Sequence, residues 1–506
     1  MKTNQIVMRL VLSLVMIASA ISCTNLDNEI LDGSLQSSSE GGTVDAAAFL
    51  EAAKNGLRGF QDQDKMFAMD EMSSDELAGP TRGGDWDDNA KWRQLHNHTW
   101  DAAHVEVRNA WNALLSNVYN CNQVIENSNI VADVASAKFL RAYYYYHLVD
   151  FFGQVPYRLA GSDPNAYPLV WTRSEATNFM ISELESILPI VPNRVSGDPS
   201  VISKDAVNFL LAKIYLNKAV FTASSAAGPY NFTAADMNKV ITHVDAMTNT
   251  LAANYWDNFS PTNNLSDELV FTSKNVLGSG GGIQSRWRMC QHYNATPDGW
   301  NGFATVADYY DSFNPNDTRI NYTTPYTVAN FGNNVGFLVG QQYAPGGVTP
   351  LKDRNNNPLA YTKALTLVTS GNAIETAGIR GLKYIPDAAN LGAPEDDYVL
   401  MRYSDALLMK AEAIARGGSG SLGTMAADLA TRSGQAAVDL TSLDNIYAER
   451  GRELWWEGWR RNDMIRFGKF LEARDLKPYV SDSKFLLFPI PAGALLNPNI
   501  KQNPGY

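Results

Sequence analysis

The chain has 506 residues, 45% of them hydrophobic and 19% charged, with a net charge of −12. That length and apolar content support a substantial buried core and exclude a disordered or fibrous chain. A field of this sign repels phosphate backbones, which excludes nucleic acid from the expected partners.

The N-terminus reads as an export signal. Lys2 and Arg9 give a positive start, and Leu10 to Ile21 is almost wholly apolar. That run is too short to span a bilayer and matches a secretory core. It ends in Ala20-Ile21-Ser22-Cys23, which resembles the lipobox of bacterial lipoproteins, with Ala20 where Leu is more usual. Residues 1–22 are therefore expected to be a signal peptide and Cys23 the lipidated new N-terminus. Several acyl chains anchor firmly where one does not. The next stretch, TNLDNEILDGSLQSSSEGG, is polar and rich in Ser and Gly, so 23–43 is expected to be a flexible tether. Cys121 and Cys290 remain, either bridged or, the blander alternative, two separate buried thiols.

Helical patterning starts near Val44. In ASAKFLRAYYYYHLVDFFGQVPY, residues Phe139, Leu140, Tyr143, Tyr144, His147, Leu148 and Phe151 make an amphipathic stripe, and Gly153 and Pro156 stop it. Four consecutive tyrosines cannot share one face, which sends Tyr145 and Tyr146 to the flanks or to a second packing partner. SKDAVNFLLAKIYLNKAV repeats the pattern, with Ser203 as N-cap. Further helices are expected at 104–127, 174–188, 234–252, 396–416 and 441–472. Small residues at the helix contacts (Ala142, Ala212, Ala411) suggest helix pairs of tetratricopeptide type, although no clean 34-residue period is present.

Between 272 and 394 the character changes. LGSGGG, NPND, YAPGG and DRNNNPL are turn signals, and GLKYI reads as a short strand. Such an irregular block is where a helical scaffold carries function.

The C-terminal part contains ERGRELWWEGWRRNDMIRFGKF. Its residues 449–469 hold six basic and four acidic side chains, too balanced for a nucleic-acid patch. Together with FLRAYYYYHLVDFFGQVPY, NNLSDELVF, MRYSDALLMKAEAIARGG and the tail LLFPIPAGALLNPNIKQNPGY, this segment closely resembles the shared blocks of SusD/RagB lipoproteins, in order and spacing. The resemblance covers essentially the whole chain after the signal. It implies a mainly α, tetratricopeptide-like helical scaffold at 44–271 and 395–506. A variable ligand-binding region at 272–394, loop-rich with a few short strands, would complete one domain over 44–506. It further implies a lipoprotein anchored in the outer membrane and facing the exterior, where it caps a SusC-like TonB-dependent transporter. Such proteins capture oligosaccharides or, in some members, peptides. Asp27 and Glu29 fit the acidic export signals of that group. The tryptophans of the C-terminal helix are expected to be core, with Glu453 and Glu457 pairing locally with Arg460 and Arg461.

Sugar rings need aromatic faces ringed by polar groups. Two stretches offer them, RGGDWDDNAKWRQLHNHTW and SRWRMCQHYNATPDGWNGF. Trp86 and Trp300, then Tyr293 and Trp287, are the expected stacking platforms, and Asp85, Asp87, Asn301 and Arg380 the expected hydroxyl partners. The acids 85–89 do not make an EF-hand, because Ala90 stands where glycine is needed and His96 where a bidentate Glu belongs. No cofactor is expected; irregular calcium sites, which have no fixed spacing, stay open. His96, His98 and His104 lack the companions of a metal motif, and no metal ligand is assigned. No G-x-S-x-G, P-loop or HExxH occurs, so no catalytic residue is assigned. Glycan capture leads, peptide capture on the same scaffold is the alternative, and a glycoside hydrolase is a distant third.

Overall fold

The computed structural model describes residues 44–158, 162–163, 165–279 and 282–506; the signal segment, Cys23 and the tether lie outside them. Ala46–Tyr506 form one compact unit.

Helices are the main material, and neighbours in sequence pack in space. Ala46–Asn55 packs on Val105–Asn127, which packs on Val131–Phe152, then Arg173–Ile187, Lys204–Phe221 and Ala234–Asp245 in turn. Tyr403–Ala415 joins the last two and also meets Leu443–Glu453. This succession of helix pairs is the tetratricopeptide-like scaffold expected from the sequence. Thr172 closes a capping box on one helix, and the Ser203 hydroxyl accepts from the Ala206 amide on the next. Tyr143 to Tyr146 are all buried. Tyr145 meets Trp171 and Phe179, while Tyr146 meets Phe221 and Trp459, so the helix is covered on every side.

Strands are few and short. Leu269–Ser273 pairs antiparallel with Tyr398–Arg402, with Ser273 opposite Tyr398 and Leu269 opposite Arg402. These strands stand at the two ends of the loop-rich region, so the chain enters and leaves it on one ladder. Within it the strands include Ala304–Thr305, Val335–Leu338 and Arg380–Leu382, the last being the start of GLKYI.

Three helix expectations are corrected. Residues 396–416 are not one helix: Tyr398–Arg402 is a strand, and helix begins at Tyr403. The run Tyr-Val-Leu-Met is buried on both faces, where β-forming side chains favour the ladder. The helix expected at 234–252 ends at Asp245, and Thr248 turns back to hydrogen-bond Asp205. The span 441–472 breaks into Leu443–Glu453 and Arg460–Arg466, because Trp456 and Gly458 take φ of +57° and +78°.

That break changes the charges around it. Glu453 pairs with Arg319 and Arg402, and Glu457 with Arg402 and Lys383, whereas Arg460 reaches Asp75 and Arg461 reaches Asp150. The ion pairs are long-range and buried, not the local helical ones expected. Trp455, Trp456 and Trp459 are buried. Cys121 and Cys290 are separate buried thiols, and burial pushes the Cys290 thiol up to about 12.

Candidate functional site

The strand Thr81–Arg82 pairs in parallel with Val368–Thr369 and ends in a tight turn. The Arg82 and Asp85 backbones exchange hydrogen bonds of 2.8 and 3.0 Å around Gly83, whose φ of +64° suits glycine. Trp86 follows at φ +61°, and Asp88, Asn89 and Ala90 are also left-handed. Such a run of non-glycine residues is costly and persists only where the surroundings impose it.

The surroundings are explicit. The Trp86 indole donates through Nε1 to the Trp300 carbonyl at 2.9 Å, and its ring stands edge-on to Phe303 at 4.8 Å. A Cβ on Gly302 would lie 2.5 Å from the Trp86 ring, so glycine is needed there. The Trp300 ring is 6.5 Å from that of Trp86, at an interplanar angle of 39°, and is 37% exposed. Trp86 is half-buried. Tyr293, also half-buried, points its hydroxyl to Asp85 Oδ2 at 3.4 Å, and the Arg354 guanidinium covers its ring at 4.3 Å. The structure thus brings Trp86, Trp300, Tyr293 and Asp85 into one shallow surface patch. Asp87 stands beside it, engaged by Arg93 at 2.5 Å and by the Thr81 hydroxyl.

Beneath lies a polar frame. Arg82, buried, donates to the carbonyls of Gly302, Ile374 and Ala377. Arg380 donates to Ala377 and Gly378 carbonyls and to Asn301 Oδ1, and Asn301 donates to the Ile374 carbonyl. Burial lowers the pKa of both arginines. The two guanidinium groups tie the Trp300 loop to the 374–378 segment.

Arg380 and Asn301 therefore differ from their expected role: both are buried, and the Arg380 Nη1 and Nη2 groups and the Asn301 amide are spent on the frame. Trp287 differs too. It is 1% exposed and offers no face to a ligand. Its neighbours Ser285 and Arg286 are buried with it on a short helix, and no turn signal in SRWRMC separated it from the exposed stretch that follows.

Arg354, Glu375 and His292 were not singled out in the sequence. Arg354 holds Glu375 through two guanidinium nitrogens, and His292 Nε2 lies 2.7 Å from the same carboxylate. Burial alone would push Glu375 up, but Arg354 and His292 hold it at about 2. Arg354 lies in the DRNNNPL turn, and no spacing could link it to Tyr293 about sixty residues earlier. The three histidines 96, 98 and 104 each face a backbone carbonyl: Leu77 and Asp475, Ser73, and Lys91.

A fixed aromatic surface with carboxylates at its edge suits a ligand with apolar ring faces and many hydroxyls. Comparison with known proteins agrees with the fold. The SusD family matches residues 240–506, more than half the chain, and a family described as "Starch-binding associating with outer membrane" matches 30–216. The chain belongs to the SusD family. It is 23% identical over 517 residues to the starch-binding protein SusD of Bacteroides thetaiotaomicron, covering 92% of this chain and 89% of that one. Among solved structures it resembles surface glycan-binding protein A from Bacteroides fluxus, at 19% identity and TM-score 0.66, over 91% of this chain and 99% of that one. It also resembles surface glycan-binding protein A from Bacteroides thetaiotaomicron in complex with laminarihexaose, at 20% identity and TM-score 0.63, over 90% and 98% of the two chains.

Proposed function

We propose that this chain binds glycans at the cell surface without cleaving them, using the Trp86–Trp300–Tyr293 patch, and delivers them to a SusC-like TonB-dependent transporter. It would be held at the outer membrane by lipid on Cys23, facing outward. The description of the matched N-terminal family supports outer-membrane association. Among the described residues no helix is long and apolar enough to cross a membrane.

The observation that carries the reading is the convergence of an exposed ring, Trp300, and a half-buried one, Tyr293, beside a half-buried Trp86 fixed by its own hydrogen bond. Rings stack on sugar C–H faces, while Asp85 and Arg354 stand where hydroxyls would need acceptors and donors. Membership of a family whose relatives are named for starch and glycan binding supports the same ligand class. Peptide capture would call for an open strand edge. The strands beside the patch, Thr81–Arg82 and Val368–Thr369, are two residues long and pair with each other. Hydrolysis would need a carboxyl able to give up a proton near neutral pH. Glu375, held at about 2 by Arg354 and His292, is suited to a fixed acceptor instead.

The test is retardation of the purified protein on native gels cast with starch, laminarin, xylan or fructan, beside an assay for released reducing sugar. Retardation without product is expected. Product would replace this reading with a hydrolase, and binding to peptides with no polysaccharide retained would replace it with peptide capture.

A further inference from the structure

The Arg354 guanidinium over the Tyr293 ring is held in place from behind. Its Nη2 donates to Glu375 Oε1 at 2.6 Å, and its Nε lies 3.1 Å from both carboxylate oxygens. Glu375 is buried, and its Oε2 accepts from His292 Nε2 at 2.7 Å. The tautomer follows, because His292 Nδ1 already accepts the Asn294 amide at 3.0 Å. His292 is wholly buried and precedes Tyr293 in sequence, so the ring and the cation over it share one support.

This support does not use Arg354 up. Nε and Nη2 are spent on Glu375, but Nη1 takes no hydrogen bond among the described residues, and 45% of the side chain is exposed. A guanidinium is a rigid fork of five donors, so pairing along one edge leaves the Nη1 side for a ligand. Asp85 Oδ2 stands 3.4 Å from the hydroxyl of the same ring. A donor over its face and an acceptor at its hydroxyl end thus flank Tyr293.

The charges decide what such a pair accepts. Glu375 cancels Arg354, Arg93 cancels Asp87, and Glu106 cancels Lys91. Among the described residues Asp85, Asp88, Asp298 and Asp353 form no ion pair, against Arg288 and Lys352 on the loops that hydrogen-bond the Trp300 and Asn294 segments. The excess is negative, which disfavours an anionic ligand.

We propose that Arg354 is a specificity-determining residue of the patch, donating to sugar hydroxyls as a charge-cancelled fork and so selecting neutral glycans over uronate-bearing ones. The proposal rests on the glycan reading above and names the class of glycan. Arg354 touches the sugar, whereas Glu375 acts through it as a positioning residue. In Glu375→Gln the side chain accepts from Arg354 or from His292 but not from both, since its amide nitrogen is a donor. Arg354 then carries an uncompensated charge beside the sugar.

The test measures retention of the purified full chain, at low ionic strength, on native gels cast with graded starch, laminarin, xylan, fructan or polygalacturonate. The carboxymethyl derivative of the neutral polymer that retards the wild type is run beside it, with thermal melts of every variant. The wild type is expected to prefer the neutral polymer. Glu375→Gln should raise the ratio of carboxymethyl to neutral retention about threefold, the Coulomb factor for one unit charge about 6 Å away in water. A merely structural role would lower both retentions and leave their ratio alone. Arg354→Lys, at an exposed position, keeps the charge without the fork and should lose about fivefold on the neutral polymer, the scale of one hydrogen bond. Should Glu375→Gln fail to fold, Arg354→Lys carries the test. The proposal is overturned by wild-type retention in Arg354→Lys, by an unchanged ratio in folded Glu375→Gln, or by a wild type that prefers an acidic polymer. In each case loss of retention in Trp300→Ala would leave the patch standing. A wild type retarded by none of these polymers would overturn the glycan reading as well.

Discussion

Trp455 is wholly buried, 4.6 Å from Phe337 and with the Lys383 ammonium 4.2 Å over its ring, while Trp300 leaves more than a third of its surface to solvent. The same side chain is core in one place and surface in the other. Replacing Trp455 by Ala should cost about 3–5 kcal/mol in chemical denaturation, because a large cavity is left behind. Glycan retention by the folded fraction should not change; a stable Trp455→Ala protein that no longer binds would contradict its place in the core. Asp396 illustrates burial acting on a charge. Burial, with Asp387, Glu395 and Asp397 nearby, pushes its carboxyl up to about 8. The folded state then holds a proton that the unfolded state releases between about pH 4 and 8, so this residue costs stability increasingly as pH rises through that window. The melting temperature of Asp396→Asn relative to wild type should therefore be higher at pH 8 than at pH 5. A difference independent of pH would contradict it.

At the scale of elements, the break after Glu453 has a definite cause. Gly458 takes φ +78°, and a Cβ there would meet only Asp70 at 3.8 Å, so space is not the constraint. Backbone strain is. Gly458→Ala should cost about 1–2 kcal/mol, read from the denaturation midpoint; no loss would mean that the turn adapts. The long amphipathic helices were legible because their apolar spacing and caps agree, as at Thr172 and Ser203. The Tyr398–Arg402 strand was not, since a fully buried run next to a helix carries no period of its own. Nor was the Trp456–Gly458 turn, whose residues alone do not announce a left-handed backbone. In the candidate site, Trp86, Trp300 and Tyr293 could be read from turn residues around aromatics. Arg354 and the Arg82–Arg380 frame could not, because they meet their partners only through long-range folding.

At the scale of the whole molecule, one charge network joins the scaffold to the loop-rich region. Arg402, buried at the end of the ladder that closes that region, meets Glu268, Glu453 and Glu457, and Arg319 from inside the region meets Glu449 and Glu453. Its neighbours hold Glu453 well below the ordinary carboxylate range despite burial. Removing Arg402 as Ala leaves three buried carboxylates short of a partner and should cost about 3–5 kcal/mol. A loss below about 1 kcal/mol would indicate a network that relaxes or hydrates on mutation. Such rigidity lets the scaffold hold shallow aromatic surfaces whose ligand contacts are few.

The most direct test of glycan binding at the aromatic patch is the affinity of Trp300→Ala, beside wild type, for the polysaccharide that retards the wild type, with the melting temperature of both. The account predicts at least about a tenfold loss of affinity, on the scale of a lost aromatic contact of about 1.4 kcal/mol, with the melting temperature essentially unchanged. Undiminished binding by a folded Trp300→Ala protein would contradict it and move the ligand elsewhere on the molecule.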